Sequence, residues 1–173
     1  KISEQRFIAV ACGNSHTVAL DEEGHIWACG ANDVSQLGHN SKNFERCDTD
    51  QTFVSISCGT GHTVSIDTEG QMWTCGRNNW GQLGLGDVNR TNILTCVDTK
   101  AKFVTVSCCA YGTLALDDQA NLWACGCNFV GELGLPELRS INLFLTKVPI
   151  EGVDSLQNQP RKITGFNTKG AHN

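Results

Sequence analysis

Proline is nearly absent from the 173 residues, with three in all, and Met and Tyr occur once each. Glycine, at 18 residues, supplies the turns that proline does not, without the strict spacing that would mark a collagen-like chain. Long apolar runs are missing as well. The longest, such as Phe7–Cys12, reach about six residues, far short of the roughly 20 that span a bilayer, so no membrane association is expected. Nor is there a basic surplus, since 13 Lys and Arg face 18 Asp and Glu, a formal net charge of −5. Contact with nucleic acid needs clustered cations to neutralise phosphate, so none is expected from this segment. What remains is 40% hydrophobic and 18% charged, the balance of a folded globular chain long enough to bury a sizeable core.

Ten cysteines are the one abundance that invites a special reading. No C-x-x-C pair occurs; the nearest are Cys108-Cys109 and Cys125-Gly126-Cys127, without matching His spacing, so no metal site is expected. Most of the cysteines recur at equivalent places in a repeat. They read as reduced, buried thiols acting as small hydrophobes, which favours an intracellular location, cytoplasmic or nuclear. The sequon Asn89-Arg90-Thr91 then reads as accidental.

The repeat organises the rest. Segments 7–40, 53–86 and 103–136 align without a gap, and the first two share 16 of 34 positions. A period near 50 residues means a propeller, a solenoid or an array. Within a unit, Phe53-Val54-Ser55-Ile56-Ser57-Cys58 alternates and is rich in β-branched residues, as a strand requires. His62-Thr63-Val64-Ser65-Ile66 reads as a second strand, Asp67-Thr68-Glu69-Gly70 as a tight turn, and Gln71-Met72-Trp73-Thr74-Cys75 as a third strand. A weaker fourth strand is expected in each connector, near Thr95–Val97 and near Thr146–Ile150. No apolar period of 3.6 residues runs long enough for a helix. Four short antiparallel strands per unit make one propeller blade. The expected fold is therefore all-β, a partial β-propeller of three four-stranded antiparallel blades within residues 1–156. Residues 157–173 are a polar tail or, through Ile163-Thr164-Gly165-Phe166 and Ala171-His172-Asn173, the degenerate start of a fourth repeat.

Two motifs carry a resemblance. Cys58-Gly59-Thr60-Gly61-His62-Thr63 and Gly76-Arg77-Asn78-Asn79-Trp80-Gly81-Gln82-Leu83-Gly84 resemble the C-G-x-x-H-T turn and the G-x-N-x-x-G-Q-L-G loop of the regulator of chromosome condensation repeat. The resemblance covers roughly residues 5–150 and recurs in three units. It implies a seven-bladed ring, to which three blades would contribute part, the remaining blades of the ring being a further partner. This sequence departs from the motif where Ser35 replaces Gly, where Glu132 replaces Gln, and where Cys109 and Gly112 replace the Gly and the His.

Candidate residues follow from the repeat. His16 and His62 are followed five residues later by Asp21 and Asp67, a pairing that invites a general-base reading. No activated nucleophile accompanies them and the third repeat has Gly112 instead, so the rings read as structural groups that bond nearby backbone to hold a turn. The loop Gly81-Gln82-Leu83-Gly84 lacks the Lys-Ser/Thr of a phosphate loop. No catalytic residue and no cofactor are expected. Trp27, Trp73 and Trp123 read as packing between blades, and Gly30, Gly76, Gly126, Gly38, Gly84 and Gly134 as turn and close-packing positions. Trp80 aligns with Val34 and Val130, an always-apolar position that should pack. Phe129 aligns instead with Asp33 and Asn79, and Tyr111 with Ser15 and Gly61. An aromatic where sister repeats are polar belongs on the surface. Tyr111, Phe129, Asp33 and Asn79 are therefore the partner-contact candidates, all in turns.

The resemblance implies a protein-interaction propeller, with a Ran-like or Rho-type GTPase as the suggested partner. The family's founding member is a guanine-nucleotide exchange factor for Ran, so exchange activity is one alternative and a plain scaffold another. The connectors Asn40–Thr52 and Asp87–Lys102 are too short for an obvious inserted wedge. A light-sensing variant would need clustered Trp in the turn before the His, where Asn14-Ser15 and Thr60-Gly61 stand instead.

Overall fold

A computed structural model describes residues 5–39 and 43–150. It has twelve strands and no helix among those residues. Blade 1 comprises β1 (Phe7–Cys12), β2 (His16–Asp21), β3 (Ile26–Gly30) and β4 (Glu45–Arg46). Blade 2 comprises β5 (Phe53–Cys58), β6 (His62–Asp67), β7 (Met72–Gly76) and β8 (Thr91–Cys96). Blade 3 comprises β9 (Phe103–Cys109), β10 (Gly112–Asp117), β11 (Leu122–Asn128) and β12 (Ser140–Lys147). Each sheet runs in sequence order with antiparallel neighbours, the up-and-down order that short connections dictate. The fold is thus the expected all-β set of propeller blades. The expected tail or fourth-repeat start at 157–173 lies outside the described residues.

The outer strands lie earlier than expected, at Thr91–Cys96 and Ser140–Lys147 rather than near Thr95–Val97 and Thr146–Ile150. The register explains the shift. β8 and β12 pair along the whole third strand, reaching Thr91 opposite Gly76 and Asn142 opposite Gly126, with a bulge on the way. A bulge adds a residue to one strand and lets the ladder continue past it.

Blades join by a plug and a socket. Val18, Leu20, Ile26, Ala28, Leu37 and Cys47 of blade 1 form a buried cluster that is completed by Phe53 of blade 2. Val64, Ile66, Met72 and Val97 of blade 2 are likewise completed by Phe103 of blade 3. Each plug also donates its backbone N–H across the seam, Phe53 to Gly24 O and Phe103 to Gly70 O, both at 2.8 Å. Burying a Phe contributes about 2–3 kcal/mol, so these two residues are principal stabilisers of the seams.

Candidate interaction face and the seams beneath it

The repeat-invariant acidic residue ties down the far hairpin. Asp67 Oδ1 accepts the N–H groups of Glu69 (2.9 Å) and Gln71 (2.8 Å), and Oδ2 accepts Trp73 Nε1 at 2.8 Å. Asp21 and Asp117 accept the same set, including Trp27 Nε1 and Trp123 Nε1 at 2.8 Å each. Burial alone would raise the pKa of Asp21 and Asp117, but the converging donors, with His25 beside Asp21, outweigh it and hold both carboxyls below the usual value. The indoles meet the first Phe of their own blade edge-on, with centroids 6.0, 6.3 and 6.1 Å apart. Trp73 and Trp123 also pack against the core of the preceding blade.

His16 and His62 begin their strands whereas Asp21 and Asp67 end them. Five residues of strand separate each pair by about 16 Å, which excludes a His–Asp catalytic couple. The imidazoles also do not bond neighbouring backbone as expected. They cross the seam: His16 Nε2 lies 3.1 Å from Thr63 Oγ1, and His62 Nε2 lies 3.2 Å from Thr113 Oγ1. Each Thr hydroxyl in turn donates back to the preceding blade, Thr63 to Gln36 O (2.6 Å) and Thr113 to Gln82 O (2.7 Å). Because the Thr proton is committed, the His must donate from Nε2. That leaves each Nδ1 buried without a hydrogen-bond partner. Burial therefore lowers the pKa of His16, and that of His62 to about 4, with the His16 charge adding to the effect on His62. These are neutral structural latches. Position 17/63/113 is Thr in all three repeats, and that identity was the one available sign of the relay, since no spacing rule links a Thr to a His in another repeat.

The turns show how tightly the His is accommodated. A Cβ on Gly13 or Gly59 would fall 2.1 Å from Cε1 of His16 or His62. In blade 3 the two residues trade sizes, with Cys109 in place of Gly and Gly112 in place of His. A Cβ on Gly112 would lie 3.0 Å from Cys109 Sγ, so the thiol takes up room that an imidazole takes elsewhere. A shallow cavity of about 230 Å³ opens beside these turns, lined by Cys12, Cys58, Thr60, Cys108 and Cys109 among others. Burial raises the Cys58 and Cys108 thiols to about 12, which leaves them protonated and non-nucleophilic at neutral pH. All ten cysteines are free, and no group of His, Cys, Asp or Glu among the described residues is arranged to hold a metal.

Above the seams the loops are braced by Asn. Asn32, Asn78 and Asn128 Oδ1 accept the N–H of Leu37, Leu83 and Leu133 at 3.0–3.1 Å. Gly30, Gly76 and Gly126 start these loops at φ of 105 to 110°. Gly38 and Gly84 near their ends face Cys75 and Cys125 of the following blade, while Gly134 meets Val148 of its own blade. Ser35 adopts φ 68°, the left-handed conformation that Gly81 and Gly131 adopt in the sister loops.

This loop face brings together two of the contact candidates, and a third residue joins them. Trp80 of blade 2 lies 5.2 Å from Phe129 (ring centroids, interplanar angle 82°) and 6.3 Å from Tyr111. Phe129 is 42% exposed and Tyr111 39%. Trp80 is half-buried and packs, but it does so across seam 2–3 against two exposed rings, and its counterpart Val130 is 87% exposed. The position is apolar without being buried, because what covers it depends on the loop of the next blade. Asn79, beside Trp80, and Asp33, at the equivalent place in the blade 1 loop, are exposed but lie outside the aromatic cluster. Asp33 offers its carbonyl to Arg90 Nη1 at 3.0 Å.

The architecture and its recurring latches define a β-propeller repeat protein. Two family profiles, both described as "Regulator of chromosome condensation (RCC1) repeat", match the chain, one over residues 7–36 and 53–82 and the other over 23–66 and 69–116. The chain belongs to this family. Among curated proteins it is 48% identical over 40 residues to the guanine nucleotide exchange factor SRM1 of Saccharomyces cerevisiae, a match covering 23% of this chain and 8% of that protein. It is 41% identical over 44 residues to the probable E3 ubiquitin-protein ligase HERC4 of Homo sapiens, covering 25% of this chain and 4% of that one. Prp20p of Saccharomyces cerevisiae, whose crystal structure is described together with its binding to Gsp1p and histones, superposes with a TM-score of 0.77 at 17% identity. That superposition covers 84% of this chain and 39% of Prp20p. Human WBSCR16 gives the same score at 22% identity, over 87% of this chain and 41% of that one. The structural likenesses establish the fold. The chain spans less than half of each of these relatives.

Proposed function

We propose that this chain is a protein-interaction propeller module whose loop face receives a protein partner, with regulation of a Ran-like small GTPase as its leading specific role. The observation that carries the reading is the Trp80–Tyr111–Phe129 cluster. Half-exposed aromatics on a braced scaffold supply large contact area at small entropic cost, the usual make-up of an interface hot spot. The local match to SRM1 and the fold shared with Prp20p support a GTPase as the partner. The test is a pull-down of nucleotide-free and GDP-loaded Ran and Rho-type GTPases with the chain and with Tyr111→Ala, Phe129→Ala. Binding that drops at least tenfold in the double variant is expected; equal binding would overturn the assignment of the face, and no binding would overturn the choice of partner.

Exchange activity is the second reading, favoured by the same SRM1 match. The described connector residues hold only β4 and β8, with no additional hairpin to wedge open a nucleotide site. Displacing a tightly held nucleotide needs a large preorganised surface. Release of fluorescent GDP should accordingly be little stimulated by this chain alone.

A further inference from the structure

Beside the aromatic cluster stands a cation that the chain leaves unpaired. Arg77 is half-buried in the blade 2 loop. Its counterparts are Ala31 and Cys127, so the blade plan itself requires no charge here. Its backbone N–H bonds Gly61 O at 2.8 Å. Its stem covers that turn, since a Cβ on buried Gly61 would lie 3.6 Å from Arg77 Cβ, 3.7 Å from Arg77 Nε and 3.1 Å from Val34 Cγ2. The guanidinium makes no hydrogen bond or ion pair among the described residues. Acids of the surrounding loops turn to other groups: Asp87 accepts from Asn78 and Asn89, and Glu132 accepts the Val130 N–H. Asp33 meets Arg90 through its carbonyl and forms no ion pair. The turn beneath Arg77 is tied to that of Tyr111 by Thr60 N–H donating to Ala110 O at 3.1 Å. The loop that carries Arg77 also presents Trp80 to Tyr111 and Phe129. Both seams around this cation lie within the described chain.

Building on the loop face proposed above as the interaction surface, we infer that Arg77 sets its specificity by receiving a carboxylate of the partner. The partner's contact segment is then a short acidic stretch of protein with an apolar side chain beside the acid. A guanidinium offers five N–H donors in a planar fork that matches a carboxylate bidentately, and the chain uses none of those of Arg77. Partial burial strengthens such a pair, because shielded charges are screened less than exposed ones. Interface hot spots are enriched in Trp, Tyr and Arg, and Trp80, Tyr111 and Arg77 supply one of each on neighbouring turns. The net charge of −5 repels a broadly acidic surface, so the face takes a single acid seated on one cation rather than a polyanion. The aliphatic stem of Arg77 has a packing role over Gly61 as well. Arg77→Met keeps that stem and removes the fork, which separates the two roles.

Selection from a phage-displayed library of random peptides tests this, run on the 173-residue chain, on Arg77→Met and on the Tyr111→Ala, Phe129→Ala double variant. The chain should enrich peptides with Asp or Glu next to an apolar residue. Arg77→Met should still capture apolar peptides but lose the acid, and the double variant should capture neither. The most enriched peptide, synthesised with a fluorescent label, should bind about tenfold more weakly when its acid is replaced by the amide, and about tenfold more weakly to Arg77→Met. The two changes together should cost no more than either alone, as a direct pair requires. Urea denaturation should find Arg77→Met as stable as the parent chain. Enriched peptides without acids, an acid preference that survives Arg77→Met, or additive losses would overturn the proposal while leaving the aromatic face in place. Equal affinity for acid and amide peptides would do the same, and needs no variant that must fold. Acidic peptides still captured by the double variant would overturn it by separating the cation from the rings. No enrichment by the chain would overturn both the role of Arg77 and the face it stands on.

Discussion

Blades 2 and 3 share one backbone plan and differ in the residues that face the next blade. Gly59 and His62 become Cys109 and Gly112; Gly70 becomes Ala120; Gln82 becomes Glu132. In blade 2 each of these residues answers to a neighbour. His62 reaches Thr113, Gly70 passes beneath the backbone of Phe103, and Gln82 is fully buried in the seam. Blade 3 keeps the hairpin lock, the loop-bracing Asn and the core Leu133, which act within a blade. Motif residues therefore divide into those a blade needs for itself and those it needs for its follower. Only the second group has drifted.

The sharpest way to break this comparison is Gly59→Ala. Its Cβ would sit 2.1 Å from His62 Cε1 and 2.6 Å from Cys109 O, and neither the latched ring nor the strand can withdraw. A loss of about 3 kcal/mol is expected, at the upper end of overpacking penalties, read by urea denaturation. Cys109→Ala in blade 3 should cost less than half as much. If size exchange is the right account, adding His62→Gly to Gly59→Ala recovers part of the loss, a coupling that a double-mutant cycle measures.

Acid should separate the latched seams from the rest nearly as strongly. His62 titrates near 4 in the folded chain against 6.5 when free. Between those values the unfolded chain binds the proton and the folded chain does not, so stability is complete above about pH 6.5 and falls as pH drops towards 4. The largest loss from His62 is roughly 3 kcal/mol, and His16, also lowered, acts in the same direction. Asp21 and Asp117, held below the usual carboxyl value, add a further loss only at still lower pH. His62→Gln should flatten the slope of unfolding free energy between pH 6.5 and 4. An unchanged slope would place the acid sensitivity elsewhere.

A smaller effect separates a Trp that packs across a seam described within the chain from its counterpart in blade 1. Trp27 and Trp73 make the same 2.8 Å bond to an Asp, but only Trp73 also packs into a preceding blade's core. Trp73→Phe should cost about 2 kcal/mol and Trp27→Phe about 1, the shared part being a hydrogen bond to a charged acceptor. Equal losses in thermal or chemical denaturation would mean that the seam contributes nothing to this position.

The repeat made the blades legible because strand alternation and the Gly turn act within a few residues, and ten identities across three units fixed the alignment. Tyr111 and Phe129 could be picked out as aromatic departures from polar positions. What could not be read was anything that depends on the neighbouring blade. The ring of His62 finds its partner 51 residues away, and Trp80 packs against rings of the following blade; nothing within one repeat points to either partner. The outer strands begin several residues before the sequence pattern indicates, because a bulge leaves no periodic trace in a weakly patterned segment.

The smallest expected effect tests whether drift in blade 3 has left strain behind. Ala120 occupies the hairpin position of Gly24 and Gly70 and adopts φ 62°, close to their 85° and 78°. A left-handed conformation costs a residue with a Cβ about 1–2 kcal/mol, whereas Gly gains unfolded-state entropy worth about 0.4–1 kcal/mol. The two terms oppose each other and the first is larger, so Ala120→Gly should stabilise the chain by about 0.5 kcal/mol. In blade 2 the reverse substitution meets both obstacles at once. Gly70→Ala carries the same backbone strain and places a Cβ 3.2 Å from Lys102 Cβ and 3.3 Å from Phe103 O, both beside the seam. It should therefore cost at least 1 kcal/mol, twice the magnitude and opposite in sign. Urea unfolding of the two single variants decides the matter. Destabilisation by Ala120→Gly would show that its Cβ makes a packing contact that outweighs the strain, and the contrast between the two blades at this turn would then fail.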